Sequence, residues 1–163
     1  MSQPAVEALL SNGPLAWGLA ACGLAQLSKL LIELVWHRRW RPAVLIETGG
    51  MPSSHSALVT GTAAAIAFEQ GLDSPLFALA ATVAFVVMYD ASGVRRAAGR
   101  IAERLNSLAE CQGQPPLKTS LGHSRLEVLV GSLIGPLVAL PGLALVGSPL
   151  ELAQRLGSWL GVA

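Results

Sequence analysis

Four stretches of this chain are too apolar and too poor in charge to be the half-buried helices of a water-soluble domain. Residues 16–36 form a run of about 20 residues, enough to cross a hydrocarbon core of roughly 30 Å at 1.5 Å per residue. Residues 55–68 and 75–89 are shorter, near the lower length limit for a span, and the polar turn "EQGLDS" between them makes them a helical hairpin. Residues 126–146 form the fourth run, which Pro136 and Pro141 are expected to kink or to divide into two shorter helices. The expected fold is therefore all-α: an integral-membrane helical bundle of four to five spans, with residues 1–163 forming a single membrane-embedded domain.

Composition agrees with this frame. Of the 163 residues, 52% are hydrophobic and 13% charged, where a soluble domain carries about a quarter charged residues. The apolar content is mostly Ala, Leu, Val and Gly, which suits close helix packing in lipid. Small residues such as Gly61, Ala63, Gly131 and Gly135 are placed to pack helices within one chain or between chains, and the oligomeric state stays open. The N-terminus lacks a positive n-region and the first apolar run has no small-residue cleavage site, so that run is expected to remain in the membrane. Residues 98–110 place Ile101, Leu105 and Leu108 against Arg100, Glu103, Arg104 and Glu110, the pattern of an amphipathic helix outside the hydrocarbon core. "SPLELAQRLGSWLGVA" reads as a last short helix with Ser148 as cap, Pro149 at its first position and Trp159 near an interface.

A net charge of +1 excludes a globally basic nucleic-acid binder, yet the charges are not evenly spread. His37, Arg38, Arg39 and Arg41 follow the first span; Arg95, Arg96, Arg100, Arg104 and Lys118 follow the third; the turn after the second holds only Glu69 and Asp73. The positive-inside rule puts the two basic loops in the cytoplasm. Cys22 and Cys111 match no metal spacing and imply no disulfide framework, and no cofactor or metal is expected.

The polar residues that interrupt the apolar pattern fall on the same face. His55 opens the second span, Asp90 closes the third, His123 opens the fourth, and Lys29 with Glu33 lies one or two turns inside the first. Lys29 and Glu33 read either as an i,i+4 helix pair with a snorkelling lysine or as functional groups, since ionisable residues within spans are costly. In "MPSSHSA", Pro52 stiffens the approach and Ser53 or Ser54 caps a helix whose free N–H groups suit an anion such as phosphate. Glu127 lies four residues after His123, on one helical face, where a carboxylate holds an imidazole in one tautomer. Two histidines among several cations suit metal-free phosphoryl transfer: one imidazole attacks phosphorus, the other protonates the departing oxygen.

Taken together, "GGMPSSHSA", "VVMYDASGVRRAAG" and "LGHSRLEVLVGSLIG" resemble the divergent branch of the type 2 phosphatidic acid phosphatase family, relatives of bacterial acid phosphatases and vanadium haloperoxidases. The resemblance covers about residues 29–135. The wider family carries K-x6-R-P, P-S-G-H and S-R-x5-H-x3-D. Here Arg41-Pro42 matches R-P, with Lys29 as the lysine at wider spacing; Pro52-Ser53-Ser54-His55 has serine for glycine, and His123 is followed by Glu127 in place of aspartate. No S-R stands six residues before His123; Lys118 is the nearest cation, and Arg95 and Arg96 are alternatives for that phosphate contact.

What the resemblance implies is a phosphohistidine at His123 oriented by Glu127, with His55 as acid for the leaving group and Lys29, Arg41 and Ser54 around the phosphate. Asp90 is then a supporting residue, paired with Arg95 or Arg96 or orienting a histidine. The implied protein is a lipid-phosphate phosphatase at the cytoplasmic face whose partners are the bilayer and a membrane lipid substrate. The preferred substrate is a biosynthetic monoester such as phosphatidylglycerol phosphate. An isoprenoid pyrophosphate phosphatase and a non-catalytic headgroup-binding scaffold are the alternatives.

Overall fold

A computed structural model describes residues 4–36, 38–45, 49–109 and 115–161, and among these every regular element is helical. In chain order they are α1 (Ala5–Leu10), α2 (Gly13–Val35), a 3-10 turn (Pro42–Leu45), α3 (Ser54–Gln70), α4 (Pro75–Ser92), α5 (Val94–Ala109), α6 (Arg125–Leu145) and α7 (Pro149–Leu160). His37, Glu110 and Cys111 lie outside the described residues.

Short polar side chains start these helices. Asn12 accepts from the Leu15 N–H, Ser53 from Ser56 and Ser74 from Leu76. Ser124 with Glu127 and Ser148 with Glu151 form reciprocal capping boxes at α6 and α7. Proline occupies the first turn of α2, α4 and α7, where its missing N–H costs nothing.

The bundle is built around α3, which packs against α2, α4 and α6. Its interior is small rather than bulky: Ala21, Ala25, Ala57, Ala65 and Ala139 are fully buried, and the largest fully buried side chains are Ser53 and Ser56. A methyl group on Gly61 would sit 3.2 Å from the Gly135 carbonyl, and one on Gly135 would meet the backbone of Ala57 and Gly61, so α3 and α6 touch through their main chains. Large apolar side chains point outward instead, among them Leu19, Leu27, Leu31, Phe85, Leu133 and Leu137. Lipid tails are as apolar as leucine, so helices associate there by close packing of small residues, and the glycines serve packing within one chain.

Among the described residues, three runs are long and apolar enough to cross a membrane: Gly13–Val35, Pro75–Leu108, which combines α4 and α5, and Arg125–Leu145. α3, with 17 residues, stands at the lower limit of spanning length, about 25 Å, and is enclosed by the others. The expected division of the last span does not occur. Pro136 and Pro141 lie within one continuous α6, whose Gly131, Gly135, Ala139 and Gly142 are buried against the bundle. At the far end the Trp17 indole N–H donates to the Gly147 carbonyl at 2.8 Å, tying the start of α2 to the end of α6.

Candidate functional site

At the end of the bundle that carries the basic loops, a cavity of about 660 Å³ opens among α2, the 3-10 turn, α5, the segment leading into α6 and the first turn of α6. α2 supplies Lys29, 3% exposed, and Glu33 one turn on. Gln26, earlier on α2, donates from Nε2 to the Leu45 carbonyl at 2.7 Å. That bond fastens the 3-10 turn to α2, and Arg41, immediately before the turn, lines the cavity.

His123 occupies the opposite wall, 5% exposed. Its Nδ1 lies 3.0 Å from Glu127 Oε2, and the same oxygen accepts the Ser124 N–H at 3.1 Å. Glu127 therefore has two duties, capping α6 and fixing the imidazole. With Nδ1 engaged by the carboxylate, Nε2 is the nitrogen left for chemistry. The His123 N–H donates to the Ala91 carbonyl at 2.9 Å, so the end of α4 sets the residue's position as well. Just before it, Gly122 has φ +78°, and a side chain there would run into the Arg95 and Arg96 backbone. Only glycine combines that conformation with that approach.

α5 forms the remaining wall through Arg96, Gly99, Arg100 and Glu103, which share one face at helical spacing. Asn106 grips the segment leading to His123 with two bonds, Nδ2 to the Leu117 carbonyl at 2.8 Å and the Leu117 N–H to Oδ1 at 2.7 Å. The cavity thus presents Lys29, Arg41, Arg96 and Arg100 against Glu33, Glu103 and Glu127. Cations predominate, although carboxylates are interleaved among them.

The residues singled out from the sequence divide into four groups. Lys29, Arg41, Arg96, His123 and Glu127 meet in the cavity. His55, exposed at the start of α3, and Arg95 line a second space of about 30 Å³, whose wall includes His123 and Gly122, so His123 stands between the two. Asp90 pairs with Arg95, Oδ2 to Nε at 2.6 Å, at the corner between α4 and α5. Ser53, Ser54 and Lys118 are not among the lining residues. Ser53 is fully buried with its hydroxyl accepting from the Ser56 hydroxyl at 2.9 Å, Ser54 is buried beside it, and Lys118 is exposed. The Ser53 N–H donates to the Glu127 carbonyl at 3.1 Å, which joins the start of α3 to the first turn of α6.

Sequence reading had not assigned Arg100, Glu103 and the Ala91 carbonyl to the site. The first two carried a signal, since residues 96, 100 and 103 fall on the polar face of an amphipathic helix, but a solvated face has the same pattern. No side-chain pattern announces a backbone carbonyl.

Fold and site define a small helical membrane protein with a cation-lined cavity at one end and a buried histidine–glutamate pair in its wall. The chain belongs to the Divergent PAP2 family, whose model matches residues 10–138. It is similar to the Uncharacterized membrane protein YuiD of Bacillus subtilis (strain 168), 42% identical over 149 residues, which cover 81% of this chain and 94% of that protein. No solved structure matches the chain.

Proposed function

We propose that the protein is a membrane phosphatase that cleaves a lipid phosphate monoester through a phosphohistidine at His123. The observation that carries this reading is the buried His123 held through Nδ1 by Glu127 at 3.0 Å, beside a cavity lined by Lys29, Arg41 and Arg96.

In the first step Nε2 of His123 attacks phosphorus and the P–O bond to the lipid breaks, while the His55 imidazolium gives its proton to the leaving lipid alkoxide. In the second, His55 takes a proton from water, the hydroxide attacks phosphorus, and the P–N bond breaks to return His123 and release inorganic phosphate. Glu127 balances the positive charge that develops on the imidazole, and Lys29, Arg41 and Arg96 offset the charge on the phosphoryl oxygens. Family membership and the shared wall between the two histidine spaces support the pairing of His55 with His123. Concentration of Lys and Arg at this end supports a cytoplasmic orientation, which suits a biosynthetic intermediate such as phosphatidylglycerol phosphate.

The test is phosphate release by the purified, detergent-solubilised protein from phosphatidylglycerol phosphate, phosphatidic acid and farnesyl pyrophosphate, with EDTA present. Release is expected from the glycerophospholipid monoester, lost in His123→Ala and lowered about 100-fold in His55→Ala, the range for removing a general acid. Vanadate binding without release from any lipid would replace the phosphatase with a headgroup-binding scaffold.

A further inference from the structure

Apart from the polar cavity, two further unfilled features lie along the bundle wall. α4 leans on α3 but makes little contact with α6, and the gap is a seam running down the side of the molecule. Near the basic end, a groove of about 550 Å³ lies between Phe85, Met88, Tyr89 and Ser92 of α4 and Arg125 and Leu129 of α6. Beyond it, a second groove of about 570 Å³ runs between Phe77, Ala81 and Ala84 of α4 and Leu140 of α6, with Ala63, Ala64 and Ala67 of α3 also lining it. Met88 lines both and stands between them.

Chemistry changes along this seam as it does along a lipid. Arg125 and Ser92 stand at its charged end. Tyr89, one turn from Ser92, is the aromatic type expected near headgroup level, and Phe85 stacks on it with ring centres 6.1 Å apart. Below Met88 the walls are alanine, phenylalanine and leucine, and the alanines leave the width of the groove empty. From Phe77 to Ser92 the seam follows fifteen helical rises, about 22 Å, longer than the roughly 15 Å that one leaflet of hydrocarbon occupies. Each groove has the volume of a small-molecule site, about 300–1,000 Å³.

The seam is separate from the catalytic cavity. Ser124 and Glu127 turn one face of α6 toward the cavity, whereas Arg125, Val128 and Leu129 turn another toward the seam.

We propose that the α4–α6 seam is a binding site for an anionic phospholipid, its headgroup at Arg125 and one acyl chain lying over Met88 into the alanine-walled groove. The bound lipid completes the contact that α4 lacks with α6. This site does not depend on the phosphatase reading, because occupancy is measured without turnover.

The experiment is native mass spectrometry of the purified full-length protein, delipidated in detergent and offered dipalmitoyl phosphatidylserine or dipalmitoyl phosphatidylcholine. Neither probe has a phosphate monoester. One phosphatidylserine per chain is expected to be retained in preference to phosphatidylcholine. Arg125→Gln, a surface change, is expected to weaken retention about fivefold, the attraction of one basic residue for an anionic lipid. Ala64→Phe with Ala81→Phe fills the groove and is expected to abolish retention, whereas Val83→Phe, on the exposed side of α4, leaves it unchanged. Equal retention of both lipids, retention insensitive to Arg125→Gln, or a Ser132→Cys variant that cross-links to a second copy across the seam would each overturn the proposal.

Discussion

The α2–α3–α6 trio and the α4–α5 limb are built on opposite principles, and the site straddles them. In the trio, backbones touch through Gly61, Gly131 and Gly135, and alanines fill the interior. In the limb, α4 buries Ala84 and Ala91 and leaves Val83, Phe85, Val86 and Tyr89 exposed, while α5 turns Val94, Ile101, Leu105 and Leu108 outward. Lys29 and Glu127 belong to the trio; Arg95, Arg96, Arg100 and the Ala91 carbonyl belong to the limb. The difference teaches that the trio is fixed by helix backbones in direct contact, whereas the limb is joined to the site by the close approach of Gly99 and Gly122 and by hydrogen bonds that can be removed singly.

The largest effect is expected where the trio is tightest. Gly135→Leu puts atoms where Ala57, Thr60 and Gly61 already stand and is expected to cost about 3 kcal/mol or more, read as loss of a monodisperse peak and of a thermal transition in detergent. Gly23→Leu, on the same trio but with nothing within 4 Å, is expected to leave the transition in place. Equal damage from both would mean that close packing does not distinguish the trio.

Next is Glu127→Gln. The amide oxygen can still accept the Ser124 N–H, but the charge facing His123 is gone, so phosphate release is expected to fall about 100-fold while stability drops by about 1 kcal/mol or less. A fall in stability that accounts for the lost activity would place Glu127 in capping alone.

In the limb, Asn106→Ala removes both bonds to Leu117 and is expected to cost about 1 kcal/mol. Faster amide exchange at Leu117, with protection in α3 unchanged, is the check that the two regions respond separately. The smallest effect belongs to Asp90→Asn. Its pair with Arg95 is solvent-accessible, so its removal is expected to change stability by about 0.5 kcal/mol or less. A larger shift would show that the α4–α5 corner bears more of the limb than its exposure implies.

Much of this architecture was legible because the apolar runs and their interruptions are regular. The starts of α4 and α7 follow from Pro75 and from Pro149 with its Ser148 cap, whereas α2 begins at Gly13, three residues before the apolar run read from the sequence. His123 with Glu127, and the congregation of Lys29, Arg41 and Arg96, follow from helical spacing and from the common end of the spans. Continuity of α6 through Pro136 and Pro141 was not legible, since it depends on what Gly135 and Ala139 pack against. Nor were the places of Ser53 and Ser54: a serine before a helix looks the same whether its hydroxyl faces an anion or, like that of Ser53, a neighbouring serine.

The bond from the His123 N–H to the Ala91 carbonyl has a consequence for biogenesis. His123 is correctly seated only when α4, made earlier, and α6, made later, have both taken their places. Chains released before α6 is inserted would carry His55 and Lys29 but no seated His123. On the proposed phosphatase reading, a stepwise series of lengthened chains, assayed for phosphate release, should switch on abruptly rather than gain activity helix by helix.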